Sequence, residues 1–503
     1  MILAIDQSTS GTKVMLFNEQ LEMVKRINKA HKQYYPQPGW VEHDAEEIYR
    51  NVVEGIRELL ADEPQNLTTS KPQNLKTSQP QNLSLAITNQ RETVVVWNRV
   101  TGRPIANAVV WQCLRGADFC NELKAAGHSD LVQERSGLII DPYFSASGAK
   151  WLLDNVEGAR DAANRGELLM GTIDSWLIWK LTRGQRHVTD VTNASRTLLM
   201  NIRTLKWDED LLRMFTIPSS MMPEILPCDS VFGETDVEGT LANPIKIAGV
   251  LGDSHGALAG QMCFEAGLGK ATYGTGSSVM VNIGQEFSKA PGGLVTSVAF
   301  AAGGKCFYAF EGNIHCTGAT LKWLQEQMQL ISSPAEVEPA AQSVDDNGGV
   351  YFVPAFAGLG APWWNADARA AIVGMSLATT RAHILRAALE SIAYQVNDLV
   401  KAMTEQAGVA LRELRVDGGP TKNATLMQFQ ADVLGVPVNC SDVEEASAMG
   451  AVVMNVLARG VYASLADVAR LRRSRWTKTP LADNTKMQRY VDEWHHAVEQ
   501  VMS

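Results

Sequence analysis

Short apolar runs closed by glycine- and hydroxyl-rich turns alternate along this chain with longer stretches of helical periodicity. Short, mostly apolar runs between turn formers read as buried strands. They stand at Thr93–Trp97, Val109–Trp111, Ile245–Leu251, Gly349–Pro354 and Leu414–Val416. The stretches Ala45–Leu60, Arg381–Thr404, Thr425–Leu434 and Ala446–Leu457 space apolar residues three and four apart, which predicts helices. Strands interleaved with helices predict an α/β fold. A break at Ala242-Asn243-Pro244, just ahead of an apolar run, predicts domains at residues 1–247 and 248–503.

The opening stretch Ile2–Phe17 carries the first chemistry. Two strand-like runs flank Asp6-Gln7-Ser8-Thr9-Ser10-Gly11-Thr12-Lys13. Such a turn leaves backbone N–H groups and hydroxyls free to hold phosphate oxygens, although an ordinary hairpin with a polar tip fits the segment equally. Asp6, at a strand end, suits a hydrated Mg²⁺, which usually binds through one or two carboxylates plus substrate phosphates. A similar turn recurs at Tyr273-Gly274-Thr275-Gly276, and Asp417-Gly418-Gly419 follows the short run Leu414–Val416. Glycines let backbone approach a ligand closely. Three such turns predict a nucleotide held in a cleft between two related domains. Neither a Walker sequence nor a G-x-G-x-x-G after a strand is present.

Composition narrows the class. At 503 residues the chain exceeds the roughly 250–300 at which a single core stops growing. Net charge is −10 without any sustained basic block, which argues against nucleic acid or an acidic membrane as partner. No run reads as a membrane span or a secretory signal. The seven cysteines are odd in number and form no C-x-x-C pair, which predicts a reduced, cytoplasmic setting. Pro-Gln-Asn-Leu recurs at 64–67, 72–75 and 80–83, and its polarity predicts a surface insertion over 64–84.

Several blocks then stand in order along the chain: Asp6–Thr9, Ile87–Thr93, Val110–Cys113, Asp141–Phe144, Gly252-Asp253, Tyr273–Gly276, Pro354–Trp363 and Val416–Gly419. Together they resemble the signature blocks of the FGGY carbohydrate kinases, and within that family its glycerol-phosphorylating branch. The resemblance implies two actin-like, ribonuclease-H-like domains flanking a deep catalytic cleft. It also implies ATP- and Mg²⁺-dependent phosphorylation of a small polyol or sugar by a cytoplasmic enzyme; a homodimer and a homotetramer both stay open, since the sequence does not give the oligomeric state. Glycerol is the nearest named acceptor, and a four- or five-carbon polyol or ketose is the alternative. An actin-like switch ATPase is the reading from another class.

Phosphoryl transfer needs in-line positioning, neutralised phosphate charge and a group to take the hydroxyl's proton. Asp253 is the candidate base, which the family match places beside the substrate hydroxyls. Adjacent Arg91 and Glu92 on a strand would point to opposite faces. The resemblance implies instead that both enter the cleft, with Tyr143 adding a hydroxyl and Trp111 an apolar wall. On the nucleotide side it implies Thr9, Ser10, Gly11, Lys13, Thr275, Gly318, Lys322, Gly419 and Asn423, with Asp6 on the metal. Asn423 reads equally as a helix cap. Lys13 and Lys322 stand where the branch carries Arg and Gln. Ser254 and Ser278 replace a Gln and a Phe of the branch, which predicts a roomier, more polar acceptor pocket. The segment Val237–Pro244 lacks the Gly-Gly pair and Arg of the branch's sugar-bisphosphate loop, so that inhibition is expected to be absent.

Overall fold

The strand Ile2–Ser8 folds straight back on Gly11–Phe17, pairing Ser8 with Gly11 across a two-residue turn. This hairpin begins the first of two compact units in a computed structural model that describes residues 1–61, 82–481 and 483–503. The first unit comprises Met1–Met262, Ser297–Tyr308 and Glu445–Leu471; the second comprises Cys263–Thr296, Ala309–Glu444 and Arg472–Ser503. Most of the expected insertion over 64–84 lies outside the described residues. Its last two residues are buried: Leu83 joins the core and Ser84 opens a strand.

The sheet of the first unit runs Val231–Thr235, Ile245–Gly252, Ser84–Asn89, Ile2–Ser8, Gly11–Phe17, Met23–Ala30. Its three central strands are parallel and bury nearly every side chain, as strands covered on both faces must. The helix Ala45–Ala61 covers one face. Ile48, Val52, Ile56 and Leu59 form its buried stripe, and the Asp44 carboxylate accepts the Glu46 N–H at its start. Asp6 lies opposite Thr88, and Thr88 opposite Leu251, so the carboxyl ends of three parallel strands finish side by side. Open α/β sheets bind ligands at such ends.

A register shift between Ile247 and Val250 would strand backbone carbonyls of the central sheet. Buried Asn455 meets them, donating to Leu85 O at 3.2 Å and Ala248 O at 2.7 Å while its own carbonyl accepts from Ser84 Oγ. Asn455 belongs to the helix Ala446–Ala458, which lies almost backbone to backbone against Asp253–Gly260. A Cβ at Gly260 would fall 2.0 Å from Ala446 O, and one at Gly450 would fall 2.0 Å from Gly256 O. Only glycine permits that approach, and the approach fixes the helix that Asp253 begins.

The second unit repeats the plan. Leu268–Tyr273 turns back on Ser277–Gly284, pairs in parallel with Glu413–Gly418, and is followed outward by Val438–Ser441 and Ser474–Lys478. The long helix Arg381–Ala407 and the helix Ala424–Leu434 pack beside it. The periodic stretches are helices within three residues of their expected ends. The expected strand Val109–Trp111 is shorter, ending at Val109 and leaving Trp111 in a turn. Among the described residues no helix is long and apolar enough to cross a membrane.

Candidate active site

Asp253 follows the strand Ile245–Gly252 directly and opens the helix Asp253–Gly260, half-buried at the sheet's carboxyl edge. Its Oδ1 accepts the Ser254 N–H at 2.6 Å and pairs with Arg91 Nε at 3.2 Å. Gly252 makes room for that pairing: a Cβ there would lie 2.5 Å from Arg91 Cγ. Alternation along a strand would have sent Glu92 away from Arg91, and the backbone prevents it. The strand ends at Asn89, Thr93 N–H donates to Arg91 O, and Glu92 between them has φ +61°. Left-handed backbone at a non-glycine residue stores strain of order 1–3 kcal/mol and clusters at functional sites. Glu92 is thereby turned inward, with Oε1 at 3.9 Å from Arg91 Nε and its backbone carbonyl accepting from Ser145 Oγ.

Trp111 and Tyr143 stand together, ring centroids 5.3 Å apart, and the Trp111 indole N–H donates to Thr9 Oγ1 at 3.0 Å. The turn Thr9-Ser10 thus meets the aromatic wall, with Ser10 exposed. Lys13 reaches back along the hairpin to Asp6 at 3.7 Å and to Glu445 at 2.6 Å, and Arg26 takes the other oxygen of Glu445. Burial pushes the Asp6 carboxyl up to about 7, helped by the negative charge of Asp253 and Glu445 and opposed by Lys13. A hard divalent cation suits this setting. It would favour the ionised form that burial disfavours, and no group of three metal-binding side chains exists among the described residues to close a full protein cage. Mg²⁺ needs none, since it keeps waters and takes phosphate oxygens.

In the second unit the structure brings Thr275 and Gly318 together, Thr317 N–H and Ala319 N–H both donating to Thr275 O and Gly318 N–H to Gly274 O. Lys322 lies one turn further along the helix Gly318–Glu326, exposed and 3.8 Å from Glu326. Gly419 follows Gly418, which pairs with Tyr273 across the sheet. Asn423 is a helix cap: its Oδ1 accepts the Leu426 N–H at 2.8 Å. Ser278 Oγ accepts from buried Lys270 Nζ at 3.1 Å, so the hydroxyl expected to widen an acceptor pocket has an ammonium partner in its own sheet.

Sequence reading missed Arg196, whose Nε donates to Glu92 Oε1 at 2.6 Å. It also missed Asn193, which exchanges amide hydrogen bonds with Asn89 at 2.9 and 3.0 Å, and Thr192, whose hydroxyl accepts the Gly252 N–H. Glu445 was missed as well. For Thr192, Asn193 and Arg196 the signal was a dense run of polar residues, Thr189–Thr197, in which every residue is buried; Glu445 lies outside it.

The N-terminal-domain model of the FGGY family of carbohydrate kinases matches residues 1–260, and its C-terminal-domain model matches 269–459. The chain belongs to the FGGY carbohydrate kinases. This FGGY kinase is 47% identical to glycerol kinase 1 of Thermotoga maritima over 502 residues, covering 100% of this chain and 99% of the relative. It is 48% identical to a glycerol kinase of Carboxydothermus hydrogenoformans, with 99% and 97% covered. A crystal structure of Plasmodium falciparum glycerol kinase with ADP superposes with a TM-score of 0.92 at 38% identity, covering 100% of this chain and 98% of that one. The family and the two-domain α/β architecture are those the sequence blocks resembled.

Proposed function

We propose that this FGGY kinase transfers the γ-phosphoryl group of ATP to a hydroxyl of glycerol. The observation that carries the reading is the run of contacts Asp253–Arg91–Glu92 beside the Trp111–Tyr143 wall, at one sheet edge. Near half identity to named glycerol kinases over the whole length supports glycerol ahead of a four- or five-carbon acceptor.

A polyol presents hydroxyls that both donate and accept, and a guanidinium beside a carboxylate answers both. Arg91 and the Ser254 N–H both hold Oδ1 of Asp253, which leaves Oδ2 to accept the proton of the attacking hydroxyl. The Thr9-Ser10-Gly11 turn and Lys13 would meet the transferred phosphoryl group. Thr275, Gly318, Lys322, Gly419 and Asn423 would meet the remainder of the nucleotide. Asp6 would hold Mg²⁺ through water, and the ion would neutralise phosphate charge. Buried polar partners make analogues lacking a hydroxyl poor acceptors.

The test is ADP release measured with glycerol, erythritol, threitol, xylitol, dihydroxyacetone and pentuloses. Glycerol should give the highest kcat/KM. A higher value for a four- or five-carbon acceptor would overturn the choice of glycerol and revive Ser254 and Ser278 as determinants of acceptor length.

A further inference from the structure

Arg196 is 2% exposed, just beyond the short helix Val191–Ala194. Beside its bond to Glu92, its guanidinium donates to Ser297 Oγ at 2.7 Å and lies over the Phe144 ring at 5.1 Å and the Tyr143 ring at 5.9 Å. Its backbone is held rigidly. Asp190 accepts from both N–H and Oγ of Thr192 through one oxygen, and from N–H and Nδ2 of Asn193 through the other. The same segment grips Asn89 and Gly252, the strand ends that lead into Arg91 and Asp253.

We infer that Arg196 is a positioning residue: it sets the Glu92 carboxylate and the Tyr143 ring for the acceptor without touching the acceptor itself. The inference rests on the reading of Arg91, Glu92 and Tyr143 as the acceptor site. Two features argue for positioning over simple stabilisation. Glu92 has left-handed backbone in a tight turn, which persists only where surrounding contacts hold it, and Arg196 at 2.6 Å from its carboxylate is one of them. Arg196 also completes an alternating row of charge, Asp253, Arg91, Glu92, Arg196, in which each group limits where its neighbour points. A planar fork holds a carboxylate in orientation; an ammonium only holds it near.

The experiment is a double-mutant cycle on glycerol kinetics with the full chain. Arg196→Lys should raise KM for glycerol about 10-fold and Arg196→Met about 100-fold, with KM for ATP changed less than about twofold. In a Glu92→Gln background, Arg196→Met should add less than about threefold, because the group through which it acts has changed. If Arg196→Met does not fold, Arg196→Lys completes the cycle. A penalty of equal size in both backgrounds, or one shared equally by KM for glycerol and ATP, would overturn the positioning role. Absence of glycerol turnover by the unaltered chain would instead overturn the proposed function.

Discussion

At the scale of single residues, Asp253 and Gly252 separate chemistry from geometry. Asp253→Asn keeps the shape but removes the carboxylate proposed as the proton acceptor, so kcat should fall by about 10²–10⁴ while nucleotide binding persists. Steady-state rates beside a nucleotide titration check this, and near-normal turnover would remove Asp253 from the role. Gly252 has φ −64° and ψ 151°, a conformation alanine adopts freely. Gly252→Ala should therefore fold, yet its Cβ displaces Arg91 at Cγ, 2.5 Å away. A loss of about 10-fold or more in kcat/KM for glycerol is expected, since small misplacements of catalytic groups are costly. Unchanged kinetics would mean that Arg91 has an alternative path past that position.

At the scale of elements, the long helix Arg381–Ala407 carries a titration that bears on stability. Burial pushes the Glu390 carboxyl up to about 7 from its ordinary 4.5, despite the pull of Arg386 and Asn347. Between those values the folded chain holds a proton that the unfolded chain has released. Its contribution is complete below about 4.5 and is lost as pH rises through about 7. Glu390→Gln should shrink the loss of stability between about pH 5 and pH 8 by up to about 3 kcal/mol; melting curves at a series of pH values measure it, and a steeper loss would contradict the sign. Legibility divides at the same scale. The hairpins and the helices Ala45–Ala61 and Ala446–Ala458 were legible because burial imposes periodicity on contiguous residues. The inward turn of Glu92 was not, since a left-handed Glu carries no compositional mark. Arg196 and Glu445 were hidden because each meets its partner 104 and 432 positions away, and sequence spacing encodes no such pairing.

At the scale of the whole molecule, ligand binding and folding share one ledger. Nucleotide at a hundred times its Kd should stabilise the folded chain by about 2.7 kcal/mol, and chelating Mg²⁺ should remove most of that gain if Asp6 holds the ion. Thermal shift with ATP, with and without chelator, makes the comparison; equal shifts would relieve Asp6 of the metal. A sugar bisphosphate should leave the rate unchanged, because the Glu238 carboxylate faces Tyr49 and Arg57 at 3.0 and 3.4 Å and repels a second anion. The contact of Gly260 and Gly450 with opposing backbone has a consequence for reading related genes. One methyl group there overlaps a carbonyl that cannot retreat, so these codons should admit almost no missense change in a saturation library. A search for functional positions by invariance alone would rank them beside Asp253, although what they meet is opposing backbone. Invariance in such a map records two backbones that must meet.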